Sequence, residues 1–190
     1  MPDNMETSSD EILSRLGETA LECGFTKTGR LDTAAIKIRQ EVREACAADK
    51  CHAYGKNWSC PPACGSLEEC EKQIRRYKTG LILQTTGGME DSFDYEAITH
   101  IGEEHNVHLR VFQEKLGLLI TGDRPWLLLG AGCCKNCELC TCPHSPCRSP
   151  EKMIVSMEAM GIFVSELCKA NDIPYYYGPN TLTFVSCVLL

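Results

Sequence analysis

Eleven of the 14 cysteines in this 190-residue chain fall in two bursts, and this clumping constrains the fold more than any other feature. The first burst holds Cys46, Cys51, Cys60, Cys64 and Cys70; the second holds Cys133, Cys134, Cys137, Cys140, Cys142 and Cys147. Residues 71–132 contain none, and Cys23, Cys168 and Cys187 stand alone. Disulfides, metal ligands and redox thiols are the three explanations. The segment Met1 to Glu6 is acidic and polar, with neither a basic nor an apolar stretch, so it does not read as a secretory signal. A cytoplasmic location is therefore expected, and in that reducing compartment clustered cysteines point to metal or catalysis. The net charge of −7 argues against nucleic-acid or anionic-membrane partners. The longest apolar runs, Trp126 to Ala131 and Phe184 to Leu190, are strand-sized and too short to span a bilayer.

Hydrophobic periodicity and cap signals place regular elements around the bursts. Helices are expected over Ser8 to Leu21, Thr33 to Ala48, Ser66 to Lys78, Tyr95 to Leu119 and Pro150 to Lys169. Ser66 with Glu69 fits a capping box, and Ser149-Pro150 fits an N-cap followed by proline. Strands are expected over Phe25 to Leu31, Leu81 to Thr86, Trp126 to Leu129, Pro174 to Tyr177 and Thr181 to Leu190, with Gly87-Gly88 as a break. The expected class is α+β: one domain over 8–190 after a loose tail of residues 1–7. A mixed or antiparallel sheet carries packed helices and two cysteine-rich metal-binding loops.

Cys134-x2-Cys137-x2-Cys140 is the run with which ferredoxins wrap one face of a [4Fe-4S] cubane. Two residues compete as fourth ligand. Cys142-Pro143 has the ferredoxin-like dipeptide but lies one residue past Cys140, a tight reach. Cys147 has a longer reach, and the geometry favours it. Three evenly spaced cysteines suit iron–sulfur better than zinc, which usually takes two C-x2-4-C knuckles. Cys133 and Cys142 are then spare thiols, substitute ligands or redox groups, with the first reading preferred.

The first burst offers Cys46-x4-Cys51-x8-Cys60-x3-Cys64. Pro61 and Pro62 stiffen the loop, and Tyr54 and Trp58 can shield it from water. Spacing alone allows zinc nearly as well as iron–sulfur. Cys70 shares an apolar helix face with Leu67, Ile74 and Tyr77, and Cys168 joins Met157, Met160, Val164 and Leu167, so both are expected to pack the core, as are Cys187 and Cys23. The last candidate ligand of each burst, Cys64 or Cys147, lies two residues before a serine cap, Ser66 or Ser149. A helix N-terminus beside Cys64 and Cys147 would favour thiolate and anionic clusters.

The phrases Cys51-x2-Tyr54-Gly55-Lys56-x-Trp58-x-Cys60-Pro61-Pro62, Cys134-x2-Cys137-x2-Cys140, Pro146-Cys147-Arg148-x-Pro150-Glu151-Lys152 and Ser156-Met157-Glu158-Ala159-Met160-Gly161-Ile162 resemble the domain of unknown function 2284 family. Its members are described as predicted metal-binding proteins, mostly from anaerobic bacteria and archaea. The resemblance covers about residues 10–190 and implies a small cytoplasmic protein that binds metal, with iron–sulfur favoured. By motif it implicates Cys46, Cys51, Cys60, Cys134, Cys137, Cys140 and Cys147. Cys64 fits the pattern less closely, and the family supplies no reaction.

Other chemistry is weaker. His100, His105 and His108 are read as a solvated helix face rather than a metal site, Glu158 as a helix-face acid that is solvated or else salt-bridges or orients the second loop, and Tyr175-Tyr176-Tyr177 as an aromatic core strand. His144 lies within the second burst as a lesser ligand or proton acceptor. Gly87-Gly88 and Gly130-Ala131-Gly132 form no nucleotide-binding signature, and Ser59 and Ser66 have no Ser-His-Asp context. Three functions follow: a carrier with two [4Fe-4S]-type clusters passing electrons to a redox partner protein; a reductive activator or enzyme with one open-site cluster; and a zinc-stabilised interaction or metal-delivery module. The metal set expected is Cys46, Cys51, Cys60, Cys64, Cys134, Cys137, Cys140 and Cys147.

Overall fold

The computed structural model describes residues 9–120 and 124–190. One mixed five-stranded sheet organises them, in the order β1-β2-β5-β3-β4. β1 (Lys27–Asp32), β2 (Thr79–Gly88), β5 (Thr181–Leu189) and β3 (Leu127–Gly130) pair antiparallel in turn, and β4 (Val155–Ser156) lies parallel to β3. With five helices beside it the chain is α+β.

Alternation along β2 divides the core. Leu81 and Leu83 face one side with Val188, under α1 (Ser9–Glu22) and α4 (Tyr95–Leu119). Ile82 faces the other with Val185, Cys187 and Leu189, against α3 (Leu67–Ile74), α5 (Val164–Ala170) and the methionines Met157 and Met160. Cys70, Cys168 and Cys187 belong to this second layer, all buried. Cys23 is buried in the first, at the end of α1.

Most elements stand where periodicity puts them, and α4 does so to the residue, with Asp94 accepting from the Ala97 amide at 3.0 Å. The Ser66–Glu69 capping box is formed. The cap expected at Ser8 lies outside the described residues. Gly87 and Gly88 do not break β2 but pair with Leu182 and Thr181.

Four expectations need correction. The helix over Thr33 to Ala48 is a short turn at Thr33–Ala35 followed by α2 (Gln40–Ala47). Between them Ile38 bridges Ile162, and the Arg39 amide donates to Gly161 at 2.8 Å, which holds this stretch extended. The helix begun at Ser66 ends at Ile74 because the chain beyond it is taken up elsewhere: the Thr33 hydroxyl donates to the Tyr77 carbonyl, and the Lys78 amide donates to Leu190.

The helix expected over Pro150 to Lys169 is the largest miss. The segment forms a single 3-10 turn (Pro150–Lys152), then β4, then a tight turn, and only then α5. Pairing of Val155 and Ser156 with Leu129 and Gly130 overrides helix propensity. Gly161, at φ +81°, reverses the chain; a Cβ there would meet Leu67 Cδ2 at 2.6 Å. Only a three-residue 3-10 turn follows Ser149, which makes no side-chain cap bond, so the helix dipole expected beside Cys147 is absent. Finally, Pro174 to Tyr177 is no strand: the three tyrosines are largely exposed, and Tyr177 donates to Gln84 Oε1 at 2.6 Å.

Candidate metal centre

Both bursts leave regular structure and meet in space. α2 delivers Cys46 in its last turn. The loop that follows turns at Asp49, whose carboxylate accepts from the Tyr54 amide at 2.9 Å and is held below the usual carboxylate range chiefly by that bond. The Gly55 amide donates to Pro61 at 2.9 Å, closing the loop on itself around Asn57, Trp58 and Ser59. Cys64 comes two residues before the capped start of α3.

Neighbouring thiols of this loop disfavour one another's charged forms. Cys46 feels the charge of Cys51; Cys60 feels Cys51 and Cys64; Cys64 feels Cys46. Each such neighbour disfavours a second thiolate, but burial is the larger cause at Cys46, Cys60 and Cys64. Cys60 is pushed up to about 12, with only the Ser59 hydroxyl, 3.9 Å away, opposing. Arg43 works the other way, its charge favouring the thiolates of Cys46 and Cys64. Its guanidinium donates to the Gly65 carbonyl at 2.8 Å and to Cys70 Sγ at 3.3 Å, while Nε is buried with no acceptor. A half-buried cation with an unsatisfied Nε, close to Cys46 and Cys64, leaves a donor free for an anion bound there.

The second burst follows β3. Asn57 and Ser59 grip its first residues: the Cys134 amide donates to Ser59 Oγ at 2.8 Å, Ser59 Oγ donates to Asn57 Oδ1 at 2.9 Å, and Asn57 Nδ2 donates to the Cys134 carbonyl at 3.1 Å. Both polar side chains are buried. The Trp58 indole N–H reaches the far end of the same burst, at the Ser145 carbonyl (3.1 Å) and Thr141 Oγ1 (3.3 Å). Cys60 of the first burst also feels the charge of Cys133, so the two thiol groups are neighbours. Sequence reasoning missed this stitching. It set Ser59 aside for want of a catalytic partner and gave Asn57 no role.

Cys134, Cys137, Cys140 and Cys147 are all half-buried. The segment between the last two closes on itself, with the Ser145 amide donating to Thr141 at 3.0 Å and the Thr141 hydroxyl to Pro146 at 2.9 Å. Arg148 reaches back to the Leu139 carbonyl at 2.8 Å. The chain thus returns to Cys140 just where Cys147 begins. Cys142 is turned inward instead, buried, with its thiol 3.7 Å from the Gly55 carbonyl. Among the described residues no three Cys, His, Asp or Glu side chains gather tightly enough to hold one metal ion.

The histidines lie elsewhere. His105 is buried in the core, bonded to Thr85 Oγ1 (2.9 Å) and Ser186 Oγ (2.6 Å), and His108 bonds to the same threonine. Only His100 keeps the expected solvated position, beside Glu104. His144 is exposed on the second loop. No helix among the described residues is long and apolar enough to cross a membrane.

Residues 29–190 match the family of predicted metal-binding proteins designated DUF2284, and the chain belongs to it. No curated protein and no solved structure matches the chain.

Proposed function

We propose that this DUF2284 protein carries two [4Fe-4S]-type clusters side by side and passes electrons between them and a redox partner protein. Cys46, Cys51, Cys60 and Cys64 would hold one; Cys134, Cys137, Cys140 and Cys147 would hold the other. The observation that carries this is the Asn57–Ser59 clamp, which sets the loop of Cys46, Cys51, Cys60 and Cys64 against the second burst. Cys134-x2-Cys137-x2-Cys140 is the run that ferredoxins use for a cubane, which favours iron–sulfur over zinc, whose structural sites usually pair two separate cysteine knuckles.

The donor set fits such a group. Thiolates are its usual ligands, and when bound it supplies one-electron chemistry. The protein's own part is to set the environment. Arg43 offers positive charge and a free N–H, Ser59 a hydroxyl near Cys60, and Trp58 closes the outer side of the second loop. Cys60 feels the charge of Cys133, and the Asn57–Ser59 clamp holds the two loops together, which suits relay of electrons from one site to the next.

Anaerobic purification followed by iron, sulfide and zinc analysis tests the reading, with about eight irons and eight acid-labile sulfides expected per chain. Electron paramagnetic resonance of the reduced protein should show two interacting centres. Stoichiometric zinc with little iron would overturn it.

A further inference from the structure

The first thiol group shares a wall with a cavity of about 640 Å³. Val42 and Ala45 of α2 form one side, and Ile162, Phe163 and Val164 form another. Cys46 and Cys51 stand on its lining, as does Glu158. The volume is that of a small-molecule site, with an apolar body and a few polar groups.

Glu158 is the feature that asks for a ligand. The sequence reads it as a helix-face acid, whereas the structure turns it inward after β4. Its Oε2 is buried without a hydrogen-bond partner. Burial raises its pKa above the ordinary carboxylate range, with its own backbone N–H and the Ser156 hydroxyl opposing. A buried carboxyl oxygen left unpaired is costly unless something from outside completes it.

The cations nearby do not complete it. Arg39 is engaged by Glu166 at 2.6 Å, and Lys50, the other basic residue on the lining, is exposed. Tyr175 lies close enough to feel the charge of Glu158, which gives the same corner an aromatic face.

We propose that this cavity binds a small organic cation, an amine with an apolar or aromatic body, its ammonium on Glu158 and its body against Val42, Ile162 and Phe163. The carboxyl then gains the partner it lacks, Tyr175 adds its ring, and the body covers apolar wall. The site is on the chain's own side chains and does not depend on which metal the thiols hold. A bound amine would nevertheless lie beside Cys46 and Cys51, which makes the protein a receptor or enzyme for that molecule rather than a carrier alone.

Calorimetric titration of the full chain, purified anaerobically, tests this with three probes of one shape: 2-phenylethylamine, 2-phenylethanol and phenylacetate. The amine should bind saturably, at least about tenfold more tightly than the alcohol, and the acid should not bind. Glu158→Gln should erase the preference for amine over alcohol. Ala45→Trp, at an exposed position on the lining, should abolish binding of both. Iron content and the visible spectrum, recorded for each protein, separate loss of the pocket from loss of the metal. An amine that binds no better than the alcohol overturns the proposal, and so does an unchanged preference in Glu158→Gln. Amine preference in a protein that contains no iron would support the pocket while refuting the two-cluster reading.

Discussion

The backbone amide of Cys134 donates to the hydroxyl of Ser59 at 2.8 Å across 75 residues of sequence. The hydroxyl in turn donates a hydrogen bond to Asn57 Oδ1, and Asn57 Nδ2 donates to the Cys134 carbonyl. Both backbone polar groups of a candidate ligand in one burst are therefore satisfied by buried side chains of the other.

Removing the hydroxyl tests this joint. Ser59→Ala strands the Cys134 amide and one face of Asn57, which should cost about 1–3 kcal/mol of stability. Because the contact spans both groups, iron should be lost to a chelator faster from both sites. Denaturation midpoints and biphasic chelation kinetics would show it; acceleration confined to one phase would argue that the sites are independent.

The second site's fourth ligand follows from how its loop closes. With no helix dipole behind Cys147, the support is the return of the chain through the Thr141–Pro146 and Arg148–Leu139 contacts. Cys147→Ser should cut iron to about half of the parent content, the share of one of two clusters. Cys142→Ser should leave it unchanged. Iron lost in the second variant and kept in the first would reverse the assignment.

Arg43 predicts a direction of redox shift. Positive charge favours the reduced, more negative state of any centre held by Cys46 and Cys64. Arg43→Gln should lower the potential of that centre and leave the other nearly unmoved, as followed by electron paramagnetic resonance in a redox titration.

His105 gives a pH dependence. Burial first, then His108, holds its pKa down to about 3, against 6.5 for an unperturbed histidine. The native state stays neutral while the unfolded chain takes up a proton across that interval. This contribution to stability is therefore complete above about pH 6.5 and is lost as pH falls toward 3. His105→Gln, compared with the parent, should show a smaller drop in thermal midpoint between neutral pH and pH 4.5.

Core cysteines should be silent toward metal. Cys168 and Cys187 are fully buried in the sheet's inner layer. Burial pushes Cys168 up to about 11 and Cys187 higher still. Either changed to alanine should cost roughly 1–2 kcal/mol with iron content unchanged. Cys70→Ala should also keep its iron, although its sulfur receives the Arg43 guanidinium. Iron analysis of the three variants checks this.

How far the sequence could be read depended on the range of the forces involved. The 25-residue helix from Tyr95 and the capping box at Ser66 rest on local periodicity and local hydrogen bonds, so both were legible. So was the core position of Cys70, because the apolar helix face is visible in spacing alone. The region after Ser149 was not, since a pairing of Val155 with Leu129 and a reversal at Gly161 against Leu67 are non-local. For the same reason His105 looked solvated: its partners, Thr85 and Ser186, are 20 and 81 residues away. The Asn57–Ser59 grip on Cys134 carries no sequence signal, being an ordinary polar pair until the fold sets it against another loop.

The strand order places β5, the latest in sequence, between β2 and β3. Both cysteine loops precede it, so they leave the ribosome before the strand that unites their supports. Neighbours separated by about a hundred residues must find each other late, and such long-range pairing is slow. Until then ten candidate thiols, Cys70 aside, hang on an unfinished scaffold, open to oxidation and to stray metals. Maturation of this protein is consequently a race between sheet closure and thiol chemistry.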